Sequence, residues 1–191
     1  MSKMPNLVEL DLSNNYALGE SGESWSQLTQ MKYLKKLDLA KCLLTGEDVK
    51  HIAMSVPNLE ELNMPENKAI GGSSSRWPHS MQIMKHLKKL YLRSCSLTAE
   101  DVKHIGVSMP NLEELNLQGN KAIGGSTPKW PHSMKIMEHL KKPGLVECSL
   151  PTAKNVERTH QYGVDWSLEI LDSVRNIEQH TELQSSHCIL I

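Results

Sequence analysis

Leucines recur along this chain in a fixed phrase. PNLVELDLSNN (5–15), PNLEELNMPEN (57–67) and PNLEELNLQGN (110–120) share one arrangement of apolar and polar positions. YLKKLDLAKC (33–42), HLKKLYLRSC (86–95) and HLKKPGLVEC (139–148) alternate with them and share a second. All six fit L-x-x-L-x-L-x-x-N or its cysteine-ended form, with Pro143 standing where the last phrase should carry a core leucine. The first leucines fall at Leu7, Leu34, Leu59, Leu87, Leu112 and Leu140, in steps of 27, 25, 28, 25 and 28. Two kinds of block therefore take turns, and a fixed period of this kind decides the architecture before any local feature does.

Alternation inside each phrase predicts a short strand, with successive side chains on opposite faces. Leu62 with Met64, and Leu90 with Leu92, point into a core; Glu61, Asn63, Lys89 and Tyr91 point out. Between the phrases, TGEDVKHIAMSV (45–56) and TAEDVKHIGVSM (98–109) open with Thr-x-x-Asp, an acidic variant of the capping box. Their apolar residues then return at helical spacing, at Val49, Ile52, Ala53 and Val56 and at Val102, Ile105, Gly106 and Met109. Helices are also predicted for SQLTQMKYL (26–34), PHSMQIMKHL (78–87) and PHSMKIMEHL (131–140).

Strand and helix alternating six times predict an α/β solenoid, a horseshoe with a parallel β-sheet on the concave face and α-helices on the convex face. Each inward leucine contributes about 1.5–3 kcal/mol once a neighbouring coil covers it. The phrase is the leucine-rich-repeat signature. Alternating N-ended and C-ended blocks with helices of this length resemble the ribonuclease-inhibitor-like leucine-rich-repeat proteins. PNLEELNLQGN, with LTGEDVKHI (44–52) and LTAEDVKHI (97–105), is similar to the C-terminal leucine-rich regions of NACHT-containing innate immune receptors (NLRs). The resemblance covers residues 5–150. It implies a sensing or autoinhibitory region whose partner is a protein ligand or an upstream domain of the same receptor. No G-x-x-x-x-G-K-[ST] phosphate loop occurs in the sequence, so a nucleotide switch is not expected within it.

Composition narrows the reading further. A net charge of -1 gives no electrostatic drive toward nucleic acid. No stretch resembles a membrane span, and MSKMPNLVEL lacks the layout of a secretory signal, so a cytoplasmic location is expected. Cys42, Cys95 and Cys148 close alternate strands, about 10 Å apart, beyond the roughly 7 Å that a disulfide tolerates. Buried thiols and no disulfides are expected, each thiol taking the place of an asparagine at the bend. The histidines are mostly repeat echoes, His51/His104, His79/His132 and His86/His139, and no nucleophile, base or metal-ligand constellation emerges. The expectation is a protein that is not an enzyme, with no cofactor and no metal.

One loop invites a ligand. NKAIGGSSSRWPHSM (67–81) and NKAIGGSTPKWPHSM (120–134) offer glycine pairs and hydroxyls that could cradle a phosphate. The first coil, NYALGESGESW (15–25), has Gly19 and Gly22 apart, yet Trp25 follows Asn15 by ten residues, as Trp77 follows Asn67 and Trp130 follows Asn120. The preferred reading is a strand-to-helix connection with a column of packed tryptophans, in which Pro78 and Pro131 open helices.

The outward positions form columns across the sheet. One reads Glu9, Lys36, Glu61, Lys89, Glu114 and Lys142, with the sign alternating at every strand; its predecessor reads Val8, Lys35, Glu60, Lys88, Glu113 and Lys141. Neighbouring opposite charges fix coil register, because a slipped coil would meet like charge. The next columns are Asp11, Asp38, Asn63, Tyr91, Asn116, Gly144 and Ser13, Ala40, Pro65, Arg93, Gln118, Val146, and these look less self-satisfied. Tyr and Arg are enriched at binding hot spots. Asp38, Asn63, Tyr91, Arg93, Asn116 and Gln118 are therefore the candidate partner-binding residues of the concave face.

At the ends the pattern weakens. The solenoid is expected over 1–150, and 151–191 as a degenerate terminal repeat and tail. SLEILDSVRN (167–176) reads as a worn seventh repeat or, with Val164, Leu168, Leu171, Val174 and Ile177, as an amphipathic helix. Only six residues precede Leu7, so the first coil is expected to belong to a fragment or to dock on something. Cys188 opens a C-a-a-X frame, and no membrane attachment is expected unless it is prenylated. The function expected is a non-catalytic protein-protein interaction module of the NLR type. The alternative is a free-standing inhibitor or adaptor, resembling ribonuclease inhibitor or a ubiquitin-ligase substrate adaptor.

Overall fold

In the computed structural model of the chain, the described residues are 6–19, 24–72 and 77–124, with the backbone of 142–144. The leucine phrases form β1 (Glu9–Asp11), β2 (Lys36–Asp38), β3 (Glu61–Asn63), β4 (Lys89–Tyr91), β5 (Glu114–Asn116) and β6 (Lys142–Gly144). They make one parallel sheet in chain order. The register is the one the leucines predict, with Leu10, Leu37, Leu62, Leu90 and Leu115 abreast and Pro143 paired to Leu115 at β6. Each strand is short because the chain turns soon after it. The residue before each terminal Asn or Cys has positive φ: Asn14 (62°), Lys41 (55°), Glu66 (62°), Ser94 (54°) and Gly119 (74°).

The helix face is built from α1 (Gly46–Ser55), α2 (Trp77–Ser80) and α3 (Ala99–Ser108). Thr45 and Thr98 cap α1 and α3 with complete capping boxes, Asp48 and Asp101 returning the bond to the cap backbone. Val49, Ile52, Ala53 and Val56 are buried, as are Val102, Ile105 and Met109, while Gly106 is half-buried. The helices expected in the other blocks are different from the prediction. Residues Ser24–Gln30 form a 3-10 helix, and α2 is a single turn followed by a 3-10 turn, Met81–Ile83. The reason is height. Ten α-helical residues rise about 15 Å, and seven 3-10 residues rise about 14 Å, so the tighter helix crosses the same distance with fewer residues. The predicted helix 131–140 lies outside the described residues.

The core is aliphatic and sulfur-rich, running through Leu37, Leu39, Leu62, Met64, Leu90, Leu92 and Leu117, with Met81 and Met84 beneath the helices. In the first coil Leu7, Leu10, Leu12 and Leu18 are only partly buried against it. Asparagines stitch the bends. Asn67 Oδ1 accepts from the N–H groups of Cys42 (2.9 Å) and Leu44 (3.0 Å), and its Nδ2 donates to Leu39 O (2.9 Å) and Met64 O (3.0 Å). Asn120 does the same for Cys95, Leu97, Leu92 and Leu117. Cys42 and Cys95 are free, buried thiols that donate to Leu12 O and Met64 O, each at 3.1 Å. Burial raises both thiol pKa values, that of Cys95 to about 12.

The glycine loops have a packing role that the sequence reading misses. A Cβ on Gly71 would lie 2.5 Å from Ser96 O, and one on Gly19 would lie 2.2 Å from Leu43 O. Gly19, Gly71 and Gly124 each stand four residues after an asparagine, and at Gly19 and Gly71 this is where two backbones touch. The second glycine, Gly72, has φ +69°, and its N–H faces Asp101 Oδ2 at 3.4 Å. A carboxylate in that place repels a phosphate. The tryptophan column is buried, as the spacing predicts, at Trp25 and Trp77. Trp25 Nε1 also donates to Asp48 Oδ1 at 2.9 Å, tying one coil to the helix cap of the next. Trp77 Nε1 has no hydrogen-bond partner among the described residues. Trp130, Gly125 and Cys148 lie outside the described residues.

Candidate functional site

The concave face presents the outward side chains of β1–β5 in rows set by the register. The charge ladder is formed as the sequence predicts: Lys36 meets Glu9 at 2.9 Å, and Lys89 lies between Glu61 (3.9 Å) and Glu114 (3.5 Å). In the preceding row Lys35 meets Glu60 at 2.9 Å. The bond from Lys35 holds the Glu60 carboxyl below its ordinary pKa, and the Glu9 carboxylate raises that of Lys36. The Lys36–Glu9 and Lys35–Glu60 pairs are well exposed, and exposed pairs in general contribute little to stability, about 0–1 kcal/mol; Glu61 and Glu114 are more covered.

The next row is more engaged than the sequence suggests. Asn63 Nδ2 donates to Asp38 Oδ2, whose other oxygen accepts from Ala40 N–H at 2.9 Å. Asn116 Oδ1 accepts from Gln118 N–H at 2.9 Å. Tyr91 Oη donates to Glu114 Oε2 at 3.0 Å. Burial, and then the Glu114 carboxylate, push the Tyr91 phenol up to about 12. Across strands the cause is spacing, since polar side chains on adjacent parallel strands stand within reach of one another, while Asp38 and Asn116 also accept from the N–H two residues on.

Of the six candidate residues, then, the sheet brings all together on one face, and two side chains have no partner among the described residues. Arg93 is exposed, and its guanidinium makes no ion pair or hydrogen bond among the described residues. Gln118, on the neighbouring strand's row, is half-buried with its side chain likewise unengaged. Tyr91 supplies a held, partly buried ring beside them.

On the helix face the histidines are not only echoes. His79 on α2 and His104 on α3 meet edge to face, with ring centroids 4.6 Å apart, and His104 Nε2 lies 3.3 Å from Glu100. They are unrelated in the repeat, so spacing within one block gives no sign of them; only the adjacency of α2 and α3 does. Among the described residues no group of three or more His, Cys, Asp or Glu side chains could hold a metal ion. No described helix is long and apolar enough to cross a membrane. Cys188, the segment 164–178, Gly144's side-chain column and Val146 lie outside the described side chains.

Comparison with known proteins agrees with the geometry. Leucine Rich Repeat family models match residues 6–28 and 108–126. Human tubulin-specific chaperone E is 32% identical over 128 residues, covering 66% of this chain and 24% of the chaperone. Pig ribonuclease inhibitor is 30% identical over 132 residues, covering 63% of this chain and 28% of the inhibitor. An F-box/LRR-repeat protein of Arabidopsis thaliana is 27% identical over 117 residues, 59% of this chain and 26% of that protein. The chain spans about a quarter of the length of each of these relatives. Six in-register parallel strands, a buried asparagine at each N-ended bend of the inner coils and two matching repeat models identify the chain as a leucine-rich-repeat α/β solenoid, homologous in part to tubulin-specific chaperone E and ribonuclease inhibitor.

Proposed function

We propose that the chain is a non-catalytic protein-interaction module that holds a protein partner against its concave face. The observation that carries this is Arg93: an exposed guanidinium with no partner among the described residues, on a face whose other charges are largely engaged with one another. Tyr91, Gln118, Asn116, Asn63 and Asp38 share its face, on the same coil and on the coils of β2, β3 and β5, and supply polar groups around a fixed aromatic ring. Concave solenoid faces are extended binding surfaces in general. Two settings fit. In one the module is the sensing region of an NLR-type receptor, with an upstream domain or a protein ligand as partner. In the other it is a free-standing inhibitor or adaptor. The second is favoured, because the relatives named above are a tubulin-specific chaperone, a ribonuclease inhibitor and an F-box protein. The buried thiols suit a reducing, cytoplasmic setting.

Site-specific photocrosslinking tests the face. A crosslinker placed at Gln118 is expected to trap a partner that one at His51, on the helix face, does not. The double variant Tyr91→Ala/Arg93→Ala should remove most of the adduct while leaving the circular dichroism spectrum intact. Equal adducts from both faces, or an adduct indifferent to the double variant, would overturn the proposal.

A further inference from the structure

Where each strand bends away from the sheet, a column of side chains serves neither the core nor the ladder. It lies one residue past each terminal Asn or Cys and consists of Tyr16, Leu43, Lys68, Ser96 and Lys121, all exposed. The in-register coils set these five on consecutive turns of the solenoid.

The start of the column is apolar, with Tyr16 55% and Leu43 49% exposed. Leu43 also has φ 55°, in the left-handed region where a branched side chain is disfavoured and Asn or Gly fits better. Ser96, its counterpart in the next C-ended coil, has the same φ of 55°. The fold therefore requires the conformation and does not require the leucine. A half-exposed leucine at a strained position gains less from folding than a buried one, and such outliers are where binding roles are found.

The rest of the column is cationic. Lys68 and Lys121 make no ion pair among the described residues, and Arg93 lies on the coil between theirs, two residues before its cysteine. The nearby acid Glu66 is already engaged with Lys41 at 3.6 Å. Three successive coils thus offer positive charge with no ion pair among the described residues, beside two coils that offer apolar surface.

We infer that this rim binds an acidic peptide segment of a partner protein, with an apolar side chain between Tyr16 and Leu43 and carboxylates at Lys68, Arg93 and Lys121. Four strand spacings of about 4.8 Å span about 19 Å, the reach of about six extended residues. The ligand is accordingly one apolar residue followed by a short acidic run. This rests on the concave-face reading and adds to it the chemistry of the partner.

The test is fluorescence anisotropy of the full chain with a labelled synthetic peptide, Leu-Gly-Glu-Glu-Asp-Glu, at low ionic strength. Saturable binding is expected, weakening as salt screens the charges. Lys68→Glu/Lys121→Glu should lower affinity about tenfold or more, and Leu43→Asn about fivefold. Leu43→Asn should leave the thermal midpoint unchanged or raise it, so that a lost anchor is distinguished from a lost fold. The same peptide with glutamine and asparagine in place of its acids should not bind. No binding of the acidic peptide to the unaltered chain, or equal binding by the lysine variant, overturns the inference. If the Gln118 crosslink to a partner persists while the peptide fails, the acidic ligand alone is wrong; if both fail, so is the concave-face reading.

Discussion

Asn67 and Asn15 hold the same place in their coils, yet their surroundings differ. Asn67 is fully buried and serves two backbone donors and three acceptors, three of these five groups belonging to the preceding coil. Asn15 is exposed, and its Nδ2 meets Leu12 O and Ser13 O of its own coil. Removing one partner of a buried hydrogen bond leaves the other without water or protein to bond. Asn67→Ala is therefore expected to cost about 3–5 kcal/mol, and Asn15→Ala under about 1 kcal/mol, in urea unfolding. Equal costs would show that the buried amide is not what holds the bend. At the same scale, Arg93 stands out because Asp38, Asn63 and Tyr91 have found partners on adjacent strands and Asn116 has found one two residues on in its own coil.

Between elements, the contacts that matter are backbone on backbone. Gly71 lies against the Ser96–Leu97 backbone of the next coil, where a methyl group has no flexible neighbour to displace. Gly72 has room for a methyl group, its nearest neighbour being 3.6 Å away, but its φ of +69° strains one. Gly71→Ala should cost about 3 kcal/mol, by forcing coils apart, and Gly72→Ala about 1 kcal/mol, by strain alone. The reverse order in chemical denaturation would refute the close-approach account. Strand register, both capping boxes and the ladder pairs Lys36–Glu9, Lys89–Glu61 and Lys89–Glu114 are legible in the repeating blocks, since each follows from alternation and spacing in the sequence. The 3-10 segments, the Trp25–Asp48 bond, the glycine column and the His79–His104 contact are not. Each arises from a distance between blocks, which no pattern inside a block records. The concave patch is legible as a set of residues, but which of them remain unengaged depends on side-chain reach across strands.

For the molecule as a whole, the direction of the asparagine bonds divides the solenoid unevenly. Asn67 fastens the coil of β3 to that of β2, and Asn120 fastens the coil of β5 to that of β4. At the junction of β3 with β4 the equivalent side-chain tie is the weaker thiol of Cys95. Charge follows the same pairing, an acidic row position alternating with a basic one. The transferable module is then a pair of coils, 53 residues long, rather than a single coil. Excising residues 57–109 joins Val56 to Pro110, restores the sequence SVPNLEEL, and should give a shorter chain that still unfolds cooperatively. Excising only 57–81 should bring basic rows together and place one cysteine bend beside another, and a loss of the cooperative transition is expected in thermal denaturation. The lineage of such a chain would grow or shrink by double steps, so its length is quantised in units that a count of single repeats conceals.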